Sequence, residues 1–165
     1  MVRVSIRPGT ARDAPFLRRM LYEAACWREE PSRRSEGSVL GSGELEPYVE
    51  ELGTERDTIV IAEEEGEPVG AAWYRVFEPD RPGYGWVDPT FPELSMAVLP
   101  GLRGRGIGRV LLRALLARAR DDGVPALSLS VDEENPARNL YRSEGFVDVE
   151  LVGGSWTMLS ELAAS

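Results

Sequence analysis

The stretch from Glu93 to Arg120 limits what this chain can fold into more than any other. Leu94-Ser95-Met96-Ala97-Val98-Leu99 is a short apolar run, Pro100-Gly101 stops it, Arg103-Gly104-Arg105-Gly106-Ile107-Gly108 follows, and an apolar-periodic segment continues to Arg120. The order reads as strand, glycine-rich turn and helix N-terminus. In such a turn several unpaired backbone N–H groups and the positive end of the helix dipole converge on one point, which makes it a ready anion site. Arg103, Arg105 and Arg109 crowd the start of this helix, a misfit with the dipole of about 0.3–1 kcal/mol each. A bound polyanion would reverse the sign of that misfit.

Spacing removes two familiar phosphate loops. The dinucleotide fingerprint G-x-G-x-x-G would need glycine at 109 after Gly104 and Gly106 but meets Arg109, and a P-loop needs a Gly-Lys-Ser/Thr triplet that the chain lacks. Between residues 101 and 120 stand six arginines and no acid, in a chain of net charge −9. A basic island in an acidic protein suits a compact anionic ligand and not a nucleic acid, which calls for a broad basic face.

A chain of 165 residues is long enough for one well-buried domain and short for two, so a single domain over residues 1–165 is expected. Histidine is absent and Cys26 is the one cysteine, which removes Ser-His-Asp and Cys-His mechanisms and argues against a zinc cluster. Cys26 reads as a small buried hydrophobe. No apolar run approaches the roughly 20 residues of a membrane span, and Met1-Val2-Arg3-Val4 opens a strand and not a signal core. A cytoplasmic protein without a membrane role is the expectation.

The remaining elements follow from periodicity. Val2, Val4 and Ile6 alternate with polar residues as a strand. Thr10 and Asp13 resemble a capping box, and Phe16, Leu17, Met20, Leu21 and Ala24 predict a helix over about 11–28. The segment 29–43 reads as a mobile loop and 45–52 as a short acidic helix with Pro47 in its first turn. Thr58 to Glu63 and Val69 to Phe77 predict a hairpin. The Pro- and Gly-rich segment 78–92 carries Tyr84, Trp86 and Phe91, which either line a pocket or pin the loop to the core. Ile107, Val110, Leu111, Ala114 and Leu115 give the next helix its buried stripe, with Gly123 at its end. Ala126 to Val131 is then a strand parallel to 94–99, because a whole helix crosses between them. A helix from Pro136 to Glu144 and a hairpin of 146–152 with 155–159 complete the list. The sum is an α+β chain: a mixed sheet of about seven strands, helices on both faces, and one βαβ crossover at its centre.

Arg103-x-x-Gly106-x-Gly108 resembles the Q/R-x-x-G-x-G/A motif of the GNAT N-acetyltransferases. The likeness extends to Met96-Ala97-Val98 before the loop and to Leu127–Val131, Asn135-Pro136-Ala137, Asn139-Leu140-Tyr141 and Gly145-Phe146 after it. It implies the acyl-CoA N-acyltransferase fold, acetyl-CoA as cosubstrate, no metal, and as acceptor an amine of a small molecule or peptide. Arg103, Gly104, Arg105, Gly106, Ile107, Gly108 and Arg109 would surround the pyrophosphate. Met96 and Val98, with Ala97 between them, would offer backbone groups to the pantetheine arm like an added strand. A backbone N–H near the start of that strand would face the developing oxyanion. Asn135 matches a residue that bonds the arm and is equally placed to cap its own helix.

An acceptor amine with a pKa of about 10.4 is protonated at neutral pH, so some group must take its proton. Glu93, directly before the strand, is the candidate base, acting directly or through water. Other relatives place a glutamate on the following strand, an arrangement that Ser128 and Ser130 weaken here. Tyr141 matches the tyrosine beside the departing sulfur. Full proton transfer from a phenol to a thiolate is uphill by about 2 kcal/mol, so a hydrogen bond to the developing thiolate is the safer role. The resemblance also admits a homodimer, and a non-catalytic acyl-CoA-binding module as the alternative to an enzyme.

Overall fold

The computed structural model describes residues 3–28 and 33–162. The strands are β1 (Ser5–Pro8), β2 (Thr58–Glu64), β3 (Glu67–Arg75), β4 (Glu93–Val98), β5 (Ala126–Asp132), β6 (Val147–Val152) and β7 (Ser155–Glu161). They form one seven-stranded sheet of order β1-β2-β3-β4-β5-β7-β6, antiparallel throughout except between β4 and β5. The helices are α1 (Ala14–Ala25), α2 (Glu36–Leu40), α3 (Glu46–Val49), α4 (Ile107–Asp121) and α5 (Ala137–Ser143). The α+β expectation, its strand number and its central crossover all hold.

Two apolar clusters explain why the sheet is covered on both faces. Val60 and Ala62 of β2 pack with Leu111, Leu112 and Leu115 of α4. Ile59 and Ile61, their alternates, pack with Leu17, Met20 and Leu21 of α1. A strand buried on both sides reads as a continuous apolar run, and Ile59-Val60-Ile61-Ala62 is one. Gly70 lets α4 approach the sheet, because a Cβ there would lie 2.9 Å from Leu111 Cδ1.

Several boundaries differ from those read in the sequence. The first helix begins as a 3-10 turn (Ala11–Asp13) and its α part ends at Ala25. The Thr10 hydroxyl accepts from the Arg12 N–H, and the Asp13 carboxylate accepts from the Thr10 N–H. Residues 29–32 of the expected loop lie outside the described residues. Its later part is not loop alone: Ser35 caps α2, and Val39 and Leu40 bury its apolar side. The helix expected over 45–52 is a single turn. In α4 the buried stripe takes in Leu112, Leu116 and Ala119, while Val110 and Ala114 are half-buried.

Candidate active site

The two parallel strands at the centre share one registered pair, Glu93 with Ser128, where the Ser128 N–H donates to the Pro92 carbonyl at 3.0 Å. Beyond that pair no ladder joins them. On its other side β4 is paired with β3 from Glu93 to Val98, and the Leu99 N–H donates to the Val69 carbonyl at 2.9 Å. The two-residue strand period then turns the backbone groups of Leu94, Met96 and Val98 toward β5, into the opening between the strands. A cavity of about 1100 Å³ occupies this opening. Its walls include Glu93 to Val98, Leu129 to Asp132, the glycine-rich turn, Asn135 and Tyr141.

The turn has the conformation its glycines permit. Gly104 and Gly106 have φ of +79° and +87°, and Gly106 is the N-cap of α4 without any side-chain cap. The first N–H groups of that helix are therefore the unpaired donors of an open N-terminus. The arginines, however, have partners within the chain. Arg103 donates from Nε to the Val98 carbonyl at 3.2 Å, from Nη1 to the Trp27 carbonyl at 3.0 Å and from Nη2 to Glu23 at 3.2 Å. Its guanidinium clasps the end of α1 to the end of β4. Arg105 pairs with Glu64 at 3.0 Å, while Arg109 pairs with Glu144 and with the Ser143 hydroxyl at 2.9 Å. Carboxylates distant in sequence answer the misfit with the helix dipole.

Glu93 is 4% exposed. Its side chain lies on the α1–α3 face, where Ala97, four residues along and of the same strand parity, joins the cluster of α1. The Tyr48 hydroxyl donates to Oε2, and the Gly85 N–H donates to Oε1 at 3.0 Å. Burial pushes the carboxyl up to about 7, against the opposing effect of those two hydrogen bonds. Tyr141 is buried with its ring edge-on to Phe146 at 5.8 Å. Burial also raises its phenol, so the hydroxyl keeps its proton and can act as a hydrogen-bond donor. Asn135 takes the capping option, its side-chain oxygen accepting from the Ala137 N–H at 3.0 Å, and it still lines the cavity.

A family profile described as the acetyltransferase (GNAT) family matches residues 19–146. The chain belongs to that family. The mycothiol acetyltransferase of Thermomonospora curvata is 37% identical over 108 residues, 65% of this chain and 32% of the relative. The match thus spans about a third of that relative's length. Among solved structures, PaiA N-acetyltransferase from Thermoplasma acidophilum in complex with coenzyme A has a TM-score of 0.70 at 16% identity, covering 97% of this chain and 99% of that one. That likeness is one of fold. Ribosomal-protein-alanine N-acetyltransferase from Brucella melitensis has a TM-score of 0.65 at 27% identity, covering 96% and 99%.

In this GNAT domain the aromatics of the 78–92 loop divide the two roles read for them. Trp86 packs on the α1 cluster, whereas Tyr84 is 58% exposed, stacks on Tyr48 with ring centroids 6.0 Å apart, and lines the cavity. Tyr48 and the glycines that flank Tyr84, Gly83 and Gly85, are site residues that sequence reasoning missed. The G-x-G spacing inside a loop rich in aromatics was the available signal for the second; for Tyr48 there was none. Among the described residues no group of three or more His, Cys, Asp or Glu side chains could hold a metal. Nor, among them, is any helix long and apolar enough to cross a membrane.

Proposed function

We propose that this domain transfers the acetyl group of acetyl-CoA to a primary amine of a small molecule or peptide. Glu93 accepts the amine's proton and Tyr141 hydrogen-bonds the departing sulfur. The observation that carries the reading is Glu93: a buried carboxyl with a pKa near neutrality, on the wall of a cavity that runs from it to an open helix N-terminus. A base poised near the working pH is half ionised there and still basic enough to take a proton.

The residues present fit a CoA-type ligand. Met96 and Val98 turn backbone donors into the opening, where an extended arm would pair as an added strand. The Val98 carbonyl is already engaged by Arg103, which leaves its N–H and both groups of Met96 for that role. The turn from Arg103 to Arg109 would hold the pyrophosphate through backbone N–H groups, with Gly104, Gly106, Ile107 and Gly108 keeping the approach open. The bound cosubstrate supplies the thioester. Ala97 faces the α1 cluster, so its part is the strand geometry between the two donors. Tyr141, its proton held by burial, lowers the barrier as a donor and not as an acid.

Calorimetric titration of acetyl-CoA into the wild type and into Gly106→Trp, with mass spectrometry of an amine panel incubated with each, tests the reading. Micromolar binding lost in the variant, with acetylated product from the wild type alone, is the expected result. Binding without product from any amine would favour a non-catalytic acyl-CoA-binding module, and absence of binding would overturn the cofactor assignment.

A further inference from the structure

The Glu93 carboxylate is held by more of the protein than a base at a strand end needs. Beyond its two direct donors, the Tyr48 hydroxyl accepts from the Tyr84 N–H at 2.7 Å, so Tyr48 and the 83–85 loop form one closed arrangement around the acid. The loop has no room for side chains at its glycines. A Cβ on Gly83 would lie 2.5 Å from Glu93 Oε1 and 2.6 Å from the Tyr48 hydroxyl, and one on Gly85 would lie 2.5 Å from the Leu129 carbonyl carbon. Tyr48 itself stands on α3, a single turn too short to be stable alone. Arg75, the cross-strand neighbour of Glu93, holds that turn in place by donating to the Pro47 and Glu50 carbonyls at 3.0 and 2.7 Å.

We propose that Tyr48 is a positioning residue for acyl transfer: its hydroxyl fixes the Glu93 carboxylate in one orientation on the cavity wall and keeps its ionised form accessible in a buried place. The proposal rests on Glu93 as the base. The surroundings explain why a hydroxyl is needed. On β3, Arg75 is committed to Asp57 at 2.6 and 2.8 Å. On β5, Ser128 is uncharged. In the loop, Tyr84 is a neutral phenol whose ionisation the Glu44 carboxylate opposes. Glu23 of α1 lines the same cavity and is paired with Arg19, Arg33 and Arg103. Among the described residues no cation acts on Glu93, and the hydrogen bonds donated by Tyr48 and Gly85 are what favour its charged form. Packing against Phe77, with ring centroids 4.8 Å apart, would be served as well by phenylalanine; only the hydroxyl distinguishes the two roles.

The test is a 13C carboxyl titration of the cosubstrate-free protein, with the Glu93 resonance assigned by its absence in Glu93→Gln, alongside kcat and KM of the three proteins. In folded Tyr48→Phe the Glu93 titration should move up by about one pH unit, with kcat at neutral pH down about tenfold or more and KM for acetyl-CoA unchanged. An unmoved titration in a folded variant overturns the proposal. Should the phenylalanine variant fail to fold, 3-fluorotyrosine at position 48, a near-isosteric and stronger donor, should move the titration down, and no movement there overturns it equally. Full activity in Glu93→Gln would instead overturn the base assignment, whereas an inactive Glu93→Gln with an unmoved Tyr48→Phe titration removes only the positioning claim.

Discussion

Glu93 stands between two demands: a base must be ionised, and a group this deeply buried resists ionisation. Two donors without charge leave it near 7, which fixes the direction of two pH effects. If it is the base, log kcat/KM should fall below a pH of about 7 with an acid limb that Glu93→Gln removes. Stability follows the opposite course. The folded state binds this proton more tightly than the unfolded chain, so between about 4.5 and 7 the native state loses stability as pH rises. Glu93→Gln should therefore be more stable than the wild type at pH above about 8, by at most about 3 kcal/mol, and the gain should vanish in acid, where both are neutral. Thermal unfolding across that range reads it. Glu93 was legible in the sequence because a single acid stands directly before an apolar strand. Tyr48 was not, because its partner is 45 residues away in the chain and no local pattern marks which side of a single-turn helix faces a carboxylate.

At the level of elements, the least regular part of the chain is the part that depends most on one side chain. Arg75 is 2% exposed and spends all three nitrogens: Nε and Nη2 on Asp57, and Nη1 on two carbonyls of the α3 segment. Asp57 in turn accepts from the Gly53 N–H at 2.8 Å. Removing one partner of such a pair leaves a buried charge and orphaned carbonyls, so Arg75→Ala should cost about 3–5 kcal/mol. Denaturant unfolding measures that loss, and kcat should fall with it because Tyr48 loses its support. Periodicity revealed α1, α4 and most strands, since each buries a regular stripe. It did not reveal α2, whose five residues are too few to show a period, nor that 45–52 would keep one turn; those segments are shaped by Arg75 and by the α1 surface and not by their own propensities.

Over the whole molecule, the expectation of a compact anionic ligand came from arginines concentrated in an acidic chain, and the fold changes how that charge is used. The basic turn does not face solvent bare. Glu64, at the end of β2, holds Arg105, and Glu144, at the end of α5, holds Arg109 and Arg113. Only the fold could show this, because these acids lie 41 and 35 residues from their arginines. Such surface pairs are weak and screened by salt, but a phosphate arriving at the turn competes with them directly. Neutralising the carboxylates removes both the competitor and the repulsion that a polyanion meets in a chain of net charge −9. The double variant Glu64→Gln, Glu144→Gln should therefore bind acetyl-CoA about three- to tenfold more tightly than the wild type at low ionic strength, and the gain should shrink as salt shortens the Debye length toward about 3 Å near 1 M. Equal affinity of the two proteins at low salt would mean that the arginines serve the fold and that backbone N–H groups of the turn hold the phosphates without them.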